Sequence, residues 1–510
     1  MPVTPTFTHA RAADYLRPGG PWDVPGLDAG LASATGRVVD GDRRLSAPDL
    51  DTAIGTAAAW LAERGVRPGQ SVAWQFPNRL EALLLYRACW RLGAVAVPLH
   101  HASGAADLAA ALEQVEPSLL LSAPDLPAAS HPAAVVIEPG AGAWPGELEP
   151  RSPSPQHPSA PAVVLFTSGS SGRPKAVVHT QRGLLAKTRA MIAVHGLTAD
   201  DAVLMPAPLA HISGLLNAVL VAAGAGMAAV LMARWDPAAA LELIERERIS
   251  FMVGPPTFFL AMLAAPSFGA EQVASLRLIS SGGSGVTPAF VRSASAALGA
   301  HVKRSYGSTE APTMTTSGSG DPEDRAAETD GRAVGEAEVR IAEAGEVWVR
   351  GPEVCEGYLD AGATEEAFTA DGWFRTGDLG TLDADGWLTI TGRIKDVIIR
   401  GGENISAAEV EAALEAHPDV SAAVAVGYPD DRLGQRVCAF VVGSLDLEAC
   451  QAWMAERGVT RFKWPERVVA IDGFPLLGSG KVDRAALERL AQSAASSSVN
   501  TSSPTANVPP

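Results

Sequence analysis

The chain has 510 residues, 47% of them hydrophobic, which is too long for a single core and predicts two or more globular domains. Its formal net charge of −17 excludes nucleic acid or an anionic membrane as a general partner, so any site for a polyphosphate must create its own positive field. The four cysteines (Cys89, Cys355, Cys438, Cys450) have neither CxxC spacing nor a matching histidine cluster, which leaves buried thiols in a reducing compartment rather than zinc or disulfides.

Residues 1–45 read as irregular, with no apolar stretch of the secretory kind behind Pro2 and Pro5. Ser46-Ala47-Pro48 opens a helix with Leu50, Ile54, Ala57 and Leu61 on one face. Strand Val72–Phe76, helix Asn78–Leu92 and strand Ala94–Leu99 follow. Beyond residue 180 the alternation continues. Helix Arg182–Val194, strand Ala202–Met205, helix Gly214–Ala222, strand Met227–Met232 and helix Pro237–Arg248 come first. Strand Phe251–Val253, helix Thr257–Leu263, strand Leu276–Ser280 and helix Pro288–Leu298 complete it. Such β-α alternation with buried strands predicts a large layered α/β domain. Leu215–Ala233 is apolar enough to consider as a membrane span, but Asn217 and Gly224-Ala225-Gly226 interrupt it, so a buried helix, a glycine turn and a buried strand are expected, with no transmembrane segment.

After about Glu336 short β runs (Val347–Arg350, Trp373–Arg375, Trp387–Ile390) alternate with Gly/Asp turns, predicting a small antiparallel subdomain. From Lys395 a compact α+β module begins, its clearest helix Ser406–Ala416 opened by the Ser406/Glu409 capping box. Residues 492–510 are Ser/Thr/Asn/Pro-rich and read as a disordered tail. The expected organisation is a large N-terminal domain over 1–394, a small mobile C-terminal domain over 395–491, and the tail.

One stretch organises the chemistry. Val163–Phe166 leads into the nine residues Thr167–Lys175 (TSGSSGRPK), which hold four hydroxyls, two glycines, one proline and two cations, and a second β-branched run follows. Strand, loop, strand is the expected structure. Gly169 and Gly172 allow close backbone approach; Thr167, Ser168, Ser170 and Ser171 supply uncharged donors; Lys175 supplies a point charge suited to phosphate. The spacing is not that of a Walker A loop, which opens a helix and has no proline before its lysine. In isolation the stretch could equally be a surface turn.

TSGSSGRPK resembles the phosphate-binding signature of the adenylate-forming superfamily of acyl-CoA synthetases, luciferases and peptide-synthetase adenylation domains, with Ala176 where that family usually has glycine. Further stretches in family order extend the resemblance over about residues 46–490, closest to bacterial acyl-CoA synthetases. Tyr306-Gly307-Ser308-Thr309-Glu310 resembles the motif whose glutamate holds Mg²⁺, which implies that role for Glu310, a phosphate contact for Thr309 and an ATP contact for Tyr306. Gly282-Gly283-Ser284 matches the glycine-rich stretch beside adenine and the acyl pocket. The Pro208–Gly214 phrase places His211, Ser213 and Gly214 at that pocket. Asp378 and Arg393 match the ribose-binding positions; Gly392–Glu411 resembles the hinge segment, with the hinge at Lys395 and Gly401-Gly402 on the face offered to coenzyme A; and Pro475–Lys481 matches the C-terminal lysine motif.

The resemblance implies a cytoplasmic acid–CoA ligase using ATP with Mg²⁺. A carboxylic acid attacks ATP to give acyl-AMP and pyrophosphate, with Lys481 bridging the carboxylate and α-phosphate; the small domain then turns about Lys395 and coenzyme A takes the acyl group. The absence of an acidic residue in Pro206–Asn217 and Ile279–Gly285 argues against an amino-acid substrate, and small residues there suggest room for a hydrophobic fatty, aryl or alicyclic acid. Two alternatives stay open: a ligase that loads a separate carrier protein, and a non-catalytic nucleotide- or acyl-binding scaffold. Oligomeric state is not readable.

Overall fold

The computed structural model describes residues 26–32, 36–124, 126, 131–138, 140, 144, 148–167, 174–283, 285–430, 432–477 and 482–497. The chain divides into two compact units. One comprises residues up to Ala342 with Trp348–Thr376 and Leu382–Thr389; the other comprises Glu343–Val347, Gly377–Thr381 and everything from Ile390.

Among the described residues two sheets dominate the large unit. The first runs, in spatial order, Gly357–Tyr358, Lys175–Thr180, Pro161–Thr167, Val95–Leu99, Ser71–Gln75, Leu119–Ser122 and Ala134–Val136. Its pairs from Pro161–Thr167 outward to Ala134–Val136 are parallel, while Lys175–Thr180 is antiparallel to both of its neighbours. The second runs Arg332–Ala333, Thr315–Thr316, His301–Tyr306, Leu278–Gly282, Phe251–Gly254, Ala202–Met205, Ala228–Leu231, Val38–Asp40 and Arg43–Leu45. It is parallel through its centre and antiparallel at both margins. The central strands of both sheets are buried on both faces, which is why their sequences are near-continuous apolar runs instead of alternating ones.

Helix Ala47–Glu63 starts where predicted. The Ser46 hydroxyl accepts the Asp49 N–H and Pro48 sits in the first turn, a cap worth about 1 kcal/mol. It packs against helix Leu80–Leu92, every residue of which is buried; among them Trp90 donates to the Ala162 carbonyl. Ion pairs compensate the two arginines sealed inside that helix: Arg87 and Arg91 share Asp28, at 2.8 Å for Arg91. The apolar segment after Gly214 is a buried helix ending at Gly226, followed by strand Ala228–Leu231, and no described helix is long and apolar enough to cross a membrane. Unexpectedly, Leu215–Val221 is wound as a π-helix, in which Asn217 donates to the Ser213 carbonyl at 2.9 Å. Hydrophobic period does not distinguish that winding from an α-helix.

The small unit is built on a sheet of Glu403–Ser406, Val397–Arg400, Gly434–Gly443 and Val420–Asp430, with Arg467–Ala470 added beside Gly434–Gly443. Helix Ala407–Glu415 covers it, capped by Ser406 as predicted. Helix Arg484–Ser497 corrects the expected tail: it continues through residues 492–497, because Leu487 and Ala491 are fully buried against Val424, Val426 and Phe440 and anchor the turn that follows. Residues 498–510 lie outside the described residues.

Candidate active site

Strands Pro161–Thr167 and Lys175–Thr180 form an antiparallel hairpin in which Thr167 lies opposite Lys175, so the two ends of the serine/glycine loop face one another across the sheet edge. Ser168, Gly169, Ser170, Ser171 and Gly172 lie outside the described residues. The Lys175 ammonium stands 5.2 Å from the ring centroid of Tyr358, a cation–π distance. Tyr358 is on the short strand paired to Val177 of the same hairpin.

From Tyr358 the geometry leads to Glu310. The phenol donates to Glu310 Oε1 at 2.8 Å, and the Glu310 backbone carbonyl accepts the Cys355 N–H at 2.7 Å. Among the described residues the second carboxylate oxygen, Oε2, has no hydrogen-bond partner. Burial and the neighbouring Glu310 charge both push the Tyr358 hydroxyl above its ordinary range, so it stays a neutral donor. The phenol thus fixes one oxygen of Glu310 without bringing a positive charge to it.

Thr309 is held from the other side. His179, two residues after Val177 on the hairpin strand, points its Nε2 at the Thr309 carbonyl at 2.7 Å. Burial pushes the imidazole pKa down to about 4, partly opposed by that hydrogen bond. The ring is neutral near pH 7, and since a carbonyl only accepts, Nε2 carries the proton. The turn between is tight: a Cβ on Gly307 would lie 2.3 Å from the Thr313 nitrogen, so no larger residue fits. Thr313 itself is left-handed at φ +36°, and the buried Lys187 donates to its carbonyl at 3.0 Å. A strained residue held by a sequestered lysine marks this loop as one whose shape is enforced from outside.

Tyr306 ends strand His301–Tyr306 opposite Thr315, and its neighbour Ser305 lies opposite Gly282, the last residue of the adjoining strand. Gly283 follows with φ +82°, and Ser284 lies outside the described residues. The expected pocket phrase forms a short helical turn in which His211 Nδ1 accepts the Ser213 N–H at 3.3 Å and Gly214 closes against Pro208. Asn78 shapes the approach to that turn, donating to the Met205 and Ala207 carbonyls and accepting the Leu209 N–H at 2.7 Å.

In the small unit Arg393 Nε meets Asp378 Oδ1 at 2.7 Å; the aspartate is buried and the arginine half exposed. Lys395 lies exposed in the turn Ile394–Asp396. Gly401 and Gly402, at φ +60° and +91°, form the two-residue turn between Arg400 and Glu403, where left-handed backbone favours glycine. Lys481 lies outside the described residues; the bridge Leu476↔Val482 closes the ends of its loop.

Thr167, Lys175, Thr309 and Glu310 thus belong to one neighbourhood, joined by residues that motif reading had not singled out: Tyr358, His179 and Lys187. Tyr358 ends a stretch, Val347–Tyr358, whose resemblance to bacterial acyl-CoA synthetases gives the tyrosine no role of its own, and a histidine within a β-branched run carries no signal of its own. Their roles come from strand pairing, which places Tyr358 beside Val177 and directs His179 across to Thr309.

The layered large unit and separate smaller one are those of adenylate-forming enzymes. Against the ATP-bound crystal structure of MatB from Rhodopseudomonas palustris the TM-score is 0.84 with 27% identity, over 92% of this chain and 99% of that one. Residues 32–359 match the family model described as AMP-binding enzyme, and residues 409–481 match AMP-binding enzyme C-terminal domain. The medium-chain fatty-acid–CoA ligase of Escherichia coli strain K12 is 33% identical, over 96% of this chain and 94% of that protein. The salicyl-AMP ligase / salicyl-S-ArCP synthetase of Mycobacterium tuberculosis strain H37Rv is 33% identical, over 95% and 94%. The chain belongs to the AMP-binding enzyme family and is an enzyme of the acid–thiol ligase class.

Proposed function

We propose that the protein activates a hydrophobic carboxylic acid (fatty, aryl or alicyclic) with ATP and transfers the acyl group to coenzyme A. The observation that carries this reading is the charged Glu310 carboxylate held by a neutral phenol beside the Thr167–Lys175 hairpin. A cation-seeking carboxylate next to a cationic, hydroxyl-rich loop suits a metal-bound polyphosphate.

Magnesium fits that carboxylate. Among the described residues no group of three or more His, Cys, Asp or Glu could form a closed metal cage, and Mg²⁺ characteristically takes one or two carboxylates with phosphates and water. When bound it would neutralise charge on the phosphate oxygens. The protein's own part is alignment. Lys175 and the hairpin would hold the pyrophosphate that leaves, Thr309 would contact phosphate, and Asp378 with Arg393 would take the ribose hydroxyls. A carboxylate oxygen of the acid attacks the α-phosphorus, the bond to the β-phosphate bridging oxygen breaks, and the electron pair leaves with pyrophosphate. Lys481 would neutralise the charge that gathers on the carboxylate and α-phosphate. In the second half a thiolate attacks the acyl carbonyl and AMP departs with the electron pair. We assign the domain exchange between halves to rotation about Lys395.

Pyrophosphate exchange with neutral-tailed acids, run without coenzyme A, tests the activation step; exchange driven by α-amino acids would overturn the substrate class. Lys481→Ala is expected to slow acyl-AMP formation about 100-fold while thioester formation from pre-made acyl-AMP stays within a few-fold. Lys395→Pro should show the reverse. Equal losses in both halves for Lys481→Ala would overturn the two-state mechanism. A second reading, transfer to a carrier protein, is favoured by the relative named salicyl-S-ArCP synthetase; supplying coenzyme A or a phosphopantetheinylated carrier as acceptor separates the two.

A further inference from the structure

We infer that Tyr358 is a positioning residue for the metal: it fixes one oxygen of Glu310 so that the other is presented to the Mg²⁺ of MgATP. This rests on the reading of Glu310 as the magnesium ligand.

A glutamate side chain has three rotatable bonds, and a carboxylate that must meet an ion at one point loses affinity for every other arrangement it samples. Tyr358 removes most of that freedom. Its hydroxyl is 2.8 Å from Glu310 Oε1, the residue is 5% exposed, and both its backbone and its neighbours are pinned. The Tyr358 N–H donates to Thr364 Oγ1 at 2.9 Å, and the residue is in register with Val177 of the phosphate hairpin. The anchor is therefore as rigid as the sheet. Glu310 is also tied by its carbonyl to the Cys355 N–H, three residues before Tyr358, so backbone and side chain are held by the same segment.

The chemistry of the donor matters as much as its place. A lysine or arginine at this position would compensate the carboxylate and weaken its attraction for a cation; a phenol donates one hydrogen bond and leaves the charge intact. The cation that is nearby, Lys175, lies 5.2 Å from the Tyr358 ring centroid. Tyr358 thus meets the hairpin lysine with its ring and the glutamate with its hydroxyl.

The test compares binding of ATP with excess Mg²⁺ and with EDTA, by calorimetry, for wild type, Tyr358→Phe and Glu310→Gln. Tyr358→Phe keeps the ring and its contact with Lys175, and is expected to weaken MgATP about tenfold while leaving metal-free ATP unchanged. Mn²⁺ bound with ATP, read by the loss of the free-ion electron paramagnetic resonance signal, should weaken in parallel. Tyr358→His, which restores a ring donor, should recover part of the loss. If Tyr358→Phe binds MgATP like wild type while Glu310→Gln loses the metal dependence, the positioning role is wrong and the glutamate assignment stands. If Glu310→Gln keeps the full metal dependence, both fall. Equal weakening of MgATP and metal-free ATP in Tyr358→Phe would make Tyr358 merely structural and overturn the inference.

Discussion

Glu310 lies in the bend after strand His301–Tyr306 and Asp378 within strand Phe374–Leu382, and the two carboxylates differ in the partner each is bonded to. Glu310 is bonded to a phenol, which brings no positive charge; Asp378 is bonded to a guanidinium at 2.7 Å, which does. An uncompensated carboxylate seeks a cation, whereas a compensated one is a good acceptor for neutral hydroxyls. On the proposed roles, the partner, more than the carboxylate, would decide between magnesium and ribose.

The most severe way to break this contrast is Glu310→Gln, which keeps the shape and removes the charge. Turnover at saturating Mg²⁺ should fall about 100-fold with the melting temperature within a few degrees of wild type. Asp378→Asn should act on the other side: the KM for ATP rises about tenfold, the Mg²⁺ dependence is unchanged, and discrimination against 3′-deoxy-ATP largely disappears. A metal-dependent defect in Asp378→Asn would erase the distinction.

His179 sharpens the comparison within the large unit, since it holds Thr309 without touching either carboxylate. His179→Leu leaves the Thr309 carbonyl unpaired and should cost about 1–3 kcal/mol in denaturant unfolding, with His179→Gln recovering part of it. The folded pKa, about 4, lies below the ordinary 6.5, so the unfolded chain binds more protons between those values. The His179 contribution therefore rises with pH across that window, and a flatter pH–stability curve in His179→Gln checks it.

The smallest effect is expected in the small unit. Burial pushes the Glu415 carboxyl up to about 7, the Ala423 N–H opposing it. Here the folded state binds more protons between 4.5 and 7, so stability should fall as pH rises through that range, opposite in sign to His179. Hydrogen exchange of helix Ala407–Glu415 and strand Val420–Asp430 should show local protection weakening over that interval in wild type and hardly at all in Glu415→Gln.

Much of this was legible in the sequence because it is local. Capping by Ser46 and Ser406, the glycine turn at Gly401-Gly402, and the apolar runs of strands such as Val95–Leu99 depend on neighbours a few positions away. The acid loop was found as text, Tyr306–Glu310, and its tight Gly307 agrees with the close approach of Thr313. What stayed hidden depends on distant pairings. Tyr358 reaches Glu310 across 48 positions of sequence, and His179 reaches Thr309 across 130. Neither tyrosine nor histidine carries a local signal for its partner; only the pairing of strands Pro161–Thr167, Lys175–Thr180 and Gly357–Tyr358 brings them there. The extension of the last helix through Ser497 has the same cause: Leu487 and Ala491 find their apolar partners on strands more than 40 residues earlier, and burial against those strands orders a polar stretch whose own composition would leave it unfolded.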